Sequence, residues 1–364
     1  MKNTLGNSVT LTLFGESHGE AVGAVIDGIA PGIGVDEEEI KRMLSRRRPS
    51  SSIDTARVEN DNFRILSGVF GGKTTGSPLC IVIPNENVKS GDYSYGAARP
   101  SHADYTAFCK YHGFEDYRGG GHFSGRVTAA LVAAGGILLP ALEKKGITVG
   151  THILACKGAR DRDFENAEED IKSLKNADFP VLGKSAGDEM IKIIEEAKQN
   201  GDSIGGIIST AVCGLPAGLG EPWFDSVEGA LSRALFGIGA VKGVEFGAGF
   251  GFALKNGSES NDKMRMSDGK PVTITNNNGG INGGITNGMP VLFNCAVKPT
   301  PSIALPQETV DFIKNENTEI SIKGRHDPAI IRRICPVADS VTALVLCDLL
   351  ALRFGTDYLA GGNK

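Results

Sequence analysis

The sequence predicts an α+β fold. Strand-like and helix-like segments come in runs and do not alternate strictly, which disfavours a doubly wound parallel sheet. Both periodicities are present. Residues 9–14 alternate polar and apolar, while residues 164–175 and 186–200 each carry one apolar stripe at helical spacing. No low-complexity linker or repeat divides the chain, so residues 1–364 read as a single domain.

In chain order, residues 9–14 form a strand that runs into the polar loop Gly15-Glu16-Ser17-His18-Gly19, and residues 21–29 form a second strand. Asp36 is placed as an N-cap, with Glu37, Glu38 and Glu39 in a first turn where anions suit the helix dipole. That helix runs to about Arg48 and stops before Pro49. Residues 49–62 and 85–105 are polar loops, separated by strands at 65–70 and 79–83. Residues 127–144 make a buried helix with a break expected at Gly135-Gly136. Beyond the two charged helices come a strand at 204–212, a helix at 226–235 and a glycine-rich run at 237–251. Strands at 272–275 and 291–297 and an apolar helix at 340–354 complete the pattern.

Composition narrows the function. Of 364 residues, 49 are glycine, about twice the usual share, and glycine clusters mark tight turns or backbone close to a ligand. The net charge of -5 excludes a general nucleic-acid binder, so any bound anion must meet a local basic pocket. The 7 cysteines are scattered with no C-x-x-C, as for reduced buried thiols in a cytoplasmic protein and not a metal site. No signal peptide or membrane segment is expected.

Several motifs fail on inspection. Gly15-Glu16-Ser17-His18-Gly19 matches G-x-S-x-G, but a hydrolase elbow needs a helix next, and residues 21–29 are a poor one. Gly71-Gly72-Lys73-Thr74 lacks the glycine a P-loop needs at 67, where Ser67 stands. Gly237-Ile238-Gly239 and Gly247-Ala248-Gly249 lack the third glycine of a dinucleotide fingerprint. What survives is basic. Arg46-Arg47-Arg48 reads either as a solvated helix end or as a fork-shaped anion pocket. Glycine-flanked loops carrying Arg99 and His102, Arg118, Arg126, and Arg325 and His326 could converge on it.

Six blocks, in order, resemble chorismate synthase. They are residues 12–19, Arg46-Arg47-Arg48-Pro49, Arg99-Pro100-Ser101-His102-Ala103-Asp104-Tyr105, Tyr117-Arg118-Gly119-Gly120-Gly121, Lys298-Pro299-Thr300-Pro301-Ser302 and Gly324-Arg325-His326-Asp327-Pro328. The resemblance implies central helices sandwiched between two antiparallel sheets, in a homotetramer. It implies a shikimate-pathway lyase that converts 5-enolpyruvylshikimate 3-phosphate to chorismate and phosphate by 1,4-anti elimination. Reduced FMN is the implied cofactor, with no net redox change. NADPH enters only indirectly, through an external flavin reductase, because no nicotinamide fingerprint is present.

By the same resemblance, His18 donates a proton to the flavin, and His102 acts as general acid at the leaving phosphate. Asp327, with Ser17 beside it, relays a proton at the far side of the flavin. Arg47, Arg48 and Arg126 hold substrate anions. Ser124, Gly239, Ala240, Gly283, Lys298, Pro299, Thr300, Pro301, Ser302 and Arg325 hold FMN. Three positions depart from the family pattern: Ile53, His122 and Val127.

Overall fold

In a computed structural model, residues 2–49, 51, 53–55, 60–86, 95–322 and 327–360 are described. Two five-stranded antiparallel sheets enclose a layer of helices. The first sheet is ordered Thr4–Leu5, Thr10–Gly15, Ala21–Asp27, Leu79–Pro84, Arg64–Ser67. The second is ordered Val241–Phe246, Val291–Val297, Gly206–Cys213, Thr148–Cys156, Ala159–Arg160. Leu11 faces Ile26 across the first sheet, and Ile208 faces both Ile153 and Cys295 in the second.

Three helices fill the middle: Glu37–Arg47, Thr128–Glu143 and Ile331–Phe354. The first is capped as its sequence requires, for the Asp36 side chain accepts from the Glu38 backbone N–H. Helix 128–143 packs on strand 21–27, and helix 331–354 packs on strands 148–156 and 206–213. The segments Gly125–Glu143 and Ile331–Phe354 are long and apolar enough to cross a membrane, yet 78% and 100% of the most apolar 18-residue stretch in each is buried inside the structure. They are the core between the sheets.

The expected break at Gly135-Gly136 does not occur, and the helix is continuous from Thr128 to Glu143. The two glycines serve packing. A Cβ at Gly135 would lie 2.1 Å from Ser340 Oγ and 3.1 Å from Ser340 Cα. A Cβ at Gly136 would lie 2.8 Å from Ile40 Cα. The helices cross too closely for any side chain there. The C-terminal helix begins at Ile331, earlier than the apolar run suggests, and passes through Pro336 in its second turn. Strands Thr148–Cys156 and Val241–Phe246 and helix Asp104–Tyr111 are additions to the pattern expected from sequence.

Gly135→Ala should therefore destabilise the protein by about 1–3 kcal/mol, the usual cost of overpacking. Thermal unfolding checks this, and Ser340→Gly in the same chain should recover part of the loss.

Candidate active site

Arginines at the end of helix 37–47 would repel one another unless a counter-charge stood among them. Asp61 supplies it. Its side chain is fully buried, and its backbone adopts φ 50°. Arg47 Nη2 lies 3.2 Å from Asp61 Oδ2, Arg48 Nε lies 3.6 Å from the same oxygen, and Arg126 Nη1 contacts Oδ1. Burial alone would push the Asp61 carboxyl up. The charges of Arg47 and Arg126, the Arg126 hydrogen bond and Arg48 outweigh it and hold the group below its ordinary value. Arg126 also donates to Asn85 Oδ1 and to the Pro84 carbonyl. Its guanidinium is largely engaged in fixing the end of strand 79–84.

Arg46 turns away from this group. It pairs with Asp339 of the C-terminal helix at 3.0 Å, where burial pushes the carboxyl up. The basic triplet thus splits between the helical core and the site. Neighbouring Arg332 is likewise internal, paired with buried Asp54 at 2.6 Å.

A cavity of 830 Å³ opens beside this cluster. Of the residues expected from sequence, Arg47, His102, Ser124, Arg126, Gly239, Ala240, Lys298, Thr300, Pro301, Ser302 and Asp327 line it. The 298–302 loop is tied down from two sides. Lys298 N–H donates to the Ala240 carbonyl at 2.9 Å, and Lys298 Nζ donates to the Ser101 carbonyl at 2.5 Å. Burial and the nearby Lys242 charge lower the Lys298 ammonium below its ordinary value. Asp327 accepts from Thr55 N–H at 3.1 Å and from Arg333 Nη1 at 2.5 Å. Arg333 also donates to the Arg47 carbonyl, which binds the C-terminal helix to the arginine cluster.

The two histidines are brought together by the triple-glycine turn. Gly119, Gly120 and Gly121 all have positive φ, at 61°, 83° and 51°. A Cβ at Gly119 would lie 2.2 Å from His18 Cε1 and 3.0 Å from Ser17 Oγ. A Cβ at Gly120 would lie 3.2 Å from His102 Cε1. Bare backbone is thus the spacer between the imidazoles. The turn is pinned by Ser17 N–H to the Gly121 carbonyl at 3.0 Å and by His122 Nδ1 to the Gly15 carbonyl at 2.8 Å.

Other sequence expectations fall outside the cavity wall. His18 and Ser17 reach it through Gly119, and Arg48 through Asp61. Pro299 adjoins the wall between Lys298 and Thr300. Ser17 and Asp327 are held by different elements, the 15–19 loop and the start of the C-terminal helix. Gly283 turns a short hairpin whose Gly284 carbonyl accepts from Val227 N–H, at the N-terminal end of helix 227–235. The cavity lies at that helix's other end, by Arg233 and Gly237. Arg325 lies outside the described residues. Ser17 is followed by strand 21–27, so no nucleophile elbow forms. Of the departures, Ile53 is buried in the core, Val127 is buried but also borders the cavity, and His122 lines the cavity.

Asp61 and Arg333 escaped the sequence reading. Asp61 sits in a loop without periodicity, and Arg333 lies ahead of the apolar run that marks the C-terminal helix. The only available signal was one of charge, since buried arginines need a nearby carboxylate.

The cavity wall suits a flat, phosphate-bearing cofactor. Thr55 Oγ1 and Thr300 Oγ1 are buried at it and have no hydrogen-bond partner among the described residues. A Cβ at Gly239 would touch nothing within 4 Å, so backbone is open to a planar ring. Arginine-rich walls, two imidazoles and room for two ligands define an enzyme for a multiply anionic small molecule, using acid–base groups and a bound cofactor.

Comparison with known proteins specifies which. The family model for chorismate synthase matches residues 9–351. The chorismate synthase of Pyrococcus abyssi (strain GE5 / Orsay) is 47% identical over 350 residues, 96% of this chain and 97% of that protein. That of Dehalococcoides mccartyi (strain ATCC BAA-2100 / JCM 16839 / KCTC 5957 / BAV1) is 43% identical over 98% of each. A crystal structure of chorismate synthase superposes with a TM-score of 0.77 at 28% identity, covering 98% of this chain and 95% of that one. The chain belongs to the chorismate synthase family. It is a lyase that converts 5-enolpyruvylshikimate 3-phosphate to chorismate, and its family works with reduced FMN.

Asp61→Asn should lower stability at neutral pH by about 3–5 kcal/mol, because it leaves buried guanidiniums uncompensated. Asp61 is depressed in the fold, so its contribution is present above the unfolded carboxyl value and is lost as pH falls through the lower folded one. Denaturant titrations at several pH values should show the gap between variant and parent narrowing in acid.

Proposed function

We propose that His102 is the general acid at the departing phosphate and that His18 holds the proton near the flavin. The observation that carries this is the glycine turn, which sets both imidazoles against backbone beside one arginine-walled cavity. The substrate brings a phosphate and two carboxylates. Arg47, with Arg48 and Arg126 gathered on Asp61, places net positive charge where those anions must sit. Expelling phosphate is easier if its oxygen receives a proton as the bond breaks, and an imidazole is suited to this near neutral pH. When bound, reduced FMN supplies the electron density that lets a weakly acidic hydrogen and a phosphate leave. Lys298, Thr300, Pro301, Ser302, Gly239, Ala240 and Ser124 line the wall for it, and Arg325 joins the set by its motif alone; Gly283, at the far end of helix 227–235, does not belong to it. Asp327, held by Arg333, keeps a carboxylate at the cavity for proton relay, while Ser17 stands apart from it, with His18 at the glycine turn. The apolar floor around Leu131, Val337 and Leu344 excludes water from this chemistry.

The working protein is read as a one-domain homotetramer of the cytoplasm, fed reduced flavin by a separate reductase. One continuous core from Val9 to Leu359 supports the single domain. Trp223, Phe224, Phe250 and Leu254 are 84–93% exposed, and this apolar surface supports assembly.

The deciding experiment is anaerobic release of phosphate and chorismate from 5-enolpyruvylshikimate 3-phosphate, with dithionite-reduced FMN against oxidised FMN. Turnover should require reduced flavin. His18→Ala and His102→Ala should each fall by about a hundredfold or more while the fold persists; folded, fully active variants would remove these roles. In air, with NADPH and FMN alone, no turnover is expected, and turnover there would show that the chain reduces its own flavin.

A further inference from the structure

His102 is not held by the glycine turn alone. Its Nδ1 lies 2.8 Å from Asp104 Oδ1. Asp104 is gripped in turn by Arg99, which donates from Nε to Oδ2 at 2.8 Å and from Nη2 to Oδ1 at 2.7 Å. The Arg99 backbone N–H adds a third bond to Oδ2 at 2.9 Å. The same turn closes on itself, because His102 N–H donates to the Arg99 carbonyl at 3.0 Å. All three side chains are largely buried, at 13%, 18% and 17% exposure for Arg99, Asp104 and His102.

The chemistry of the carboxylate decides the tautomer. Burial would raise the Asp104 carboxyl, but hydrogen bonds from Arg99 and His102, and their charges, hold it far below the usual range. It is therefore an anion, and an ionised carboxylate can only accept. Nδ1 of His102 must carry the proton in that bond. Nε2 is then the nitrogen whose proton comes and goes, and it lies on the ring edge packed against Gly120, beside the cavity that His102 lines. A free imidazole would divide its time between tautomers and ring orientations.

We propose that Asp104, clamped by Arg99, is a positioning residue that fixes the tautomer and ring plane of His102 so that Nε2 faces the reacting phosphate. The inference rests on His102 being the general acid. It assigns a task to a carboxylate that stands behind the cavity wall rather than in it.

The test is a double-mutant cycle in the full-length protein, assayed anaerobically with reduced FMN. Asp104→Ala and Asp104→Asn should lower kcat by about a hundred- to ten-thousandfold, the range found when an orienting carboxylate or a general acid is impaired. KM should stay within about threefold, since the arginine cluster on Asp61 is untouched. Asp104→Glu should recover part of the loss. Asp104→Ala added to His102→Ala should cost nothing further, because the residue being positioned is gone. Asn is nearly isosteric, so it reports on charge and tautomer even where Ala disturbs the turn. Full activity in Asp104→Asn and Asp104→Ala, with His102→Ala inactive, would overturn the positioning role. Additive losses in the double variant would overturn it too, by showing that Asp104 acts apart from His102. Full activity in His102→Ala would instead strike at the general-acid reading itself.

Discussion

One buried carboxylate makes the site possible. Three guanidiniums from two parts of the chain stand within contact of Asp61, in surroundings where bare repulsion between cations would be several times stronger than in water. A single negative charge among three positive ones leaves a net excess, and that excess borders the cavity. The helix end at 47–48, the 125–127 turn and the exit of strand 79–84 are thereby locked together. Such a cluster contributes little to stability compared with an apolar equivalent. What it does is fix net positive charge at the cavity wall in advance, an arrangement that leaves little reorganisation for any anion that binds there.

The second constraint is steric. Two imidazoles, His18 and His102, can flank one short turn only if that turn carries no side chains of its own. The 119–121 turn meets this by presenting backbone alone to both rings, at dihedral angles that other residues adopt only with strain. The same device recurs in the core, where Gly135 lets the central helices approach until Ser340 lies against the helix backbone. Close packing of the helical layer and close packing of the site thus use the same means, a missing side chain.

Local signals made much of this readable from the chain. The cap at Asp36, the alternation of residues 9–14 and the strand at 291–297 rest on contacts among near neighbours, and each stands where pattern places it. Gly135-Gly136 misled because glycine weakens a helix in isolation, whereas here the neighbouring helix holds the segment. Strand 148–156 eluded the reading because its burial comes from partners on both sides. Among site residues, His102, Asp327 and the 298–302 loop lie at the cavity as their motifs imply, while Gly283 turns a hairpin at the far end of helix 227–235.

The sequence by itself determined the class of fold, the order of most elements, the family and the chemical character of the site: arginines, two histidines and bare glycine. Motif and periodicity are properties of short stretches, and short stretches encode them. Only the tertiary structure decided that Arg46 belongs to the core and Arg47 to the cavity, that Asp61 gathers three arginines, and that Arg99 and Asp104 orient His102. These outcomes depend on which buried charge finds which partner. In a low-dielectric interior that choice is made by distances across the folded chain, which no local pattern records.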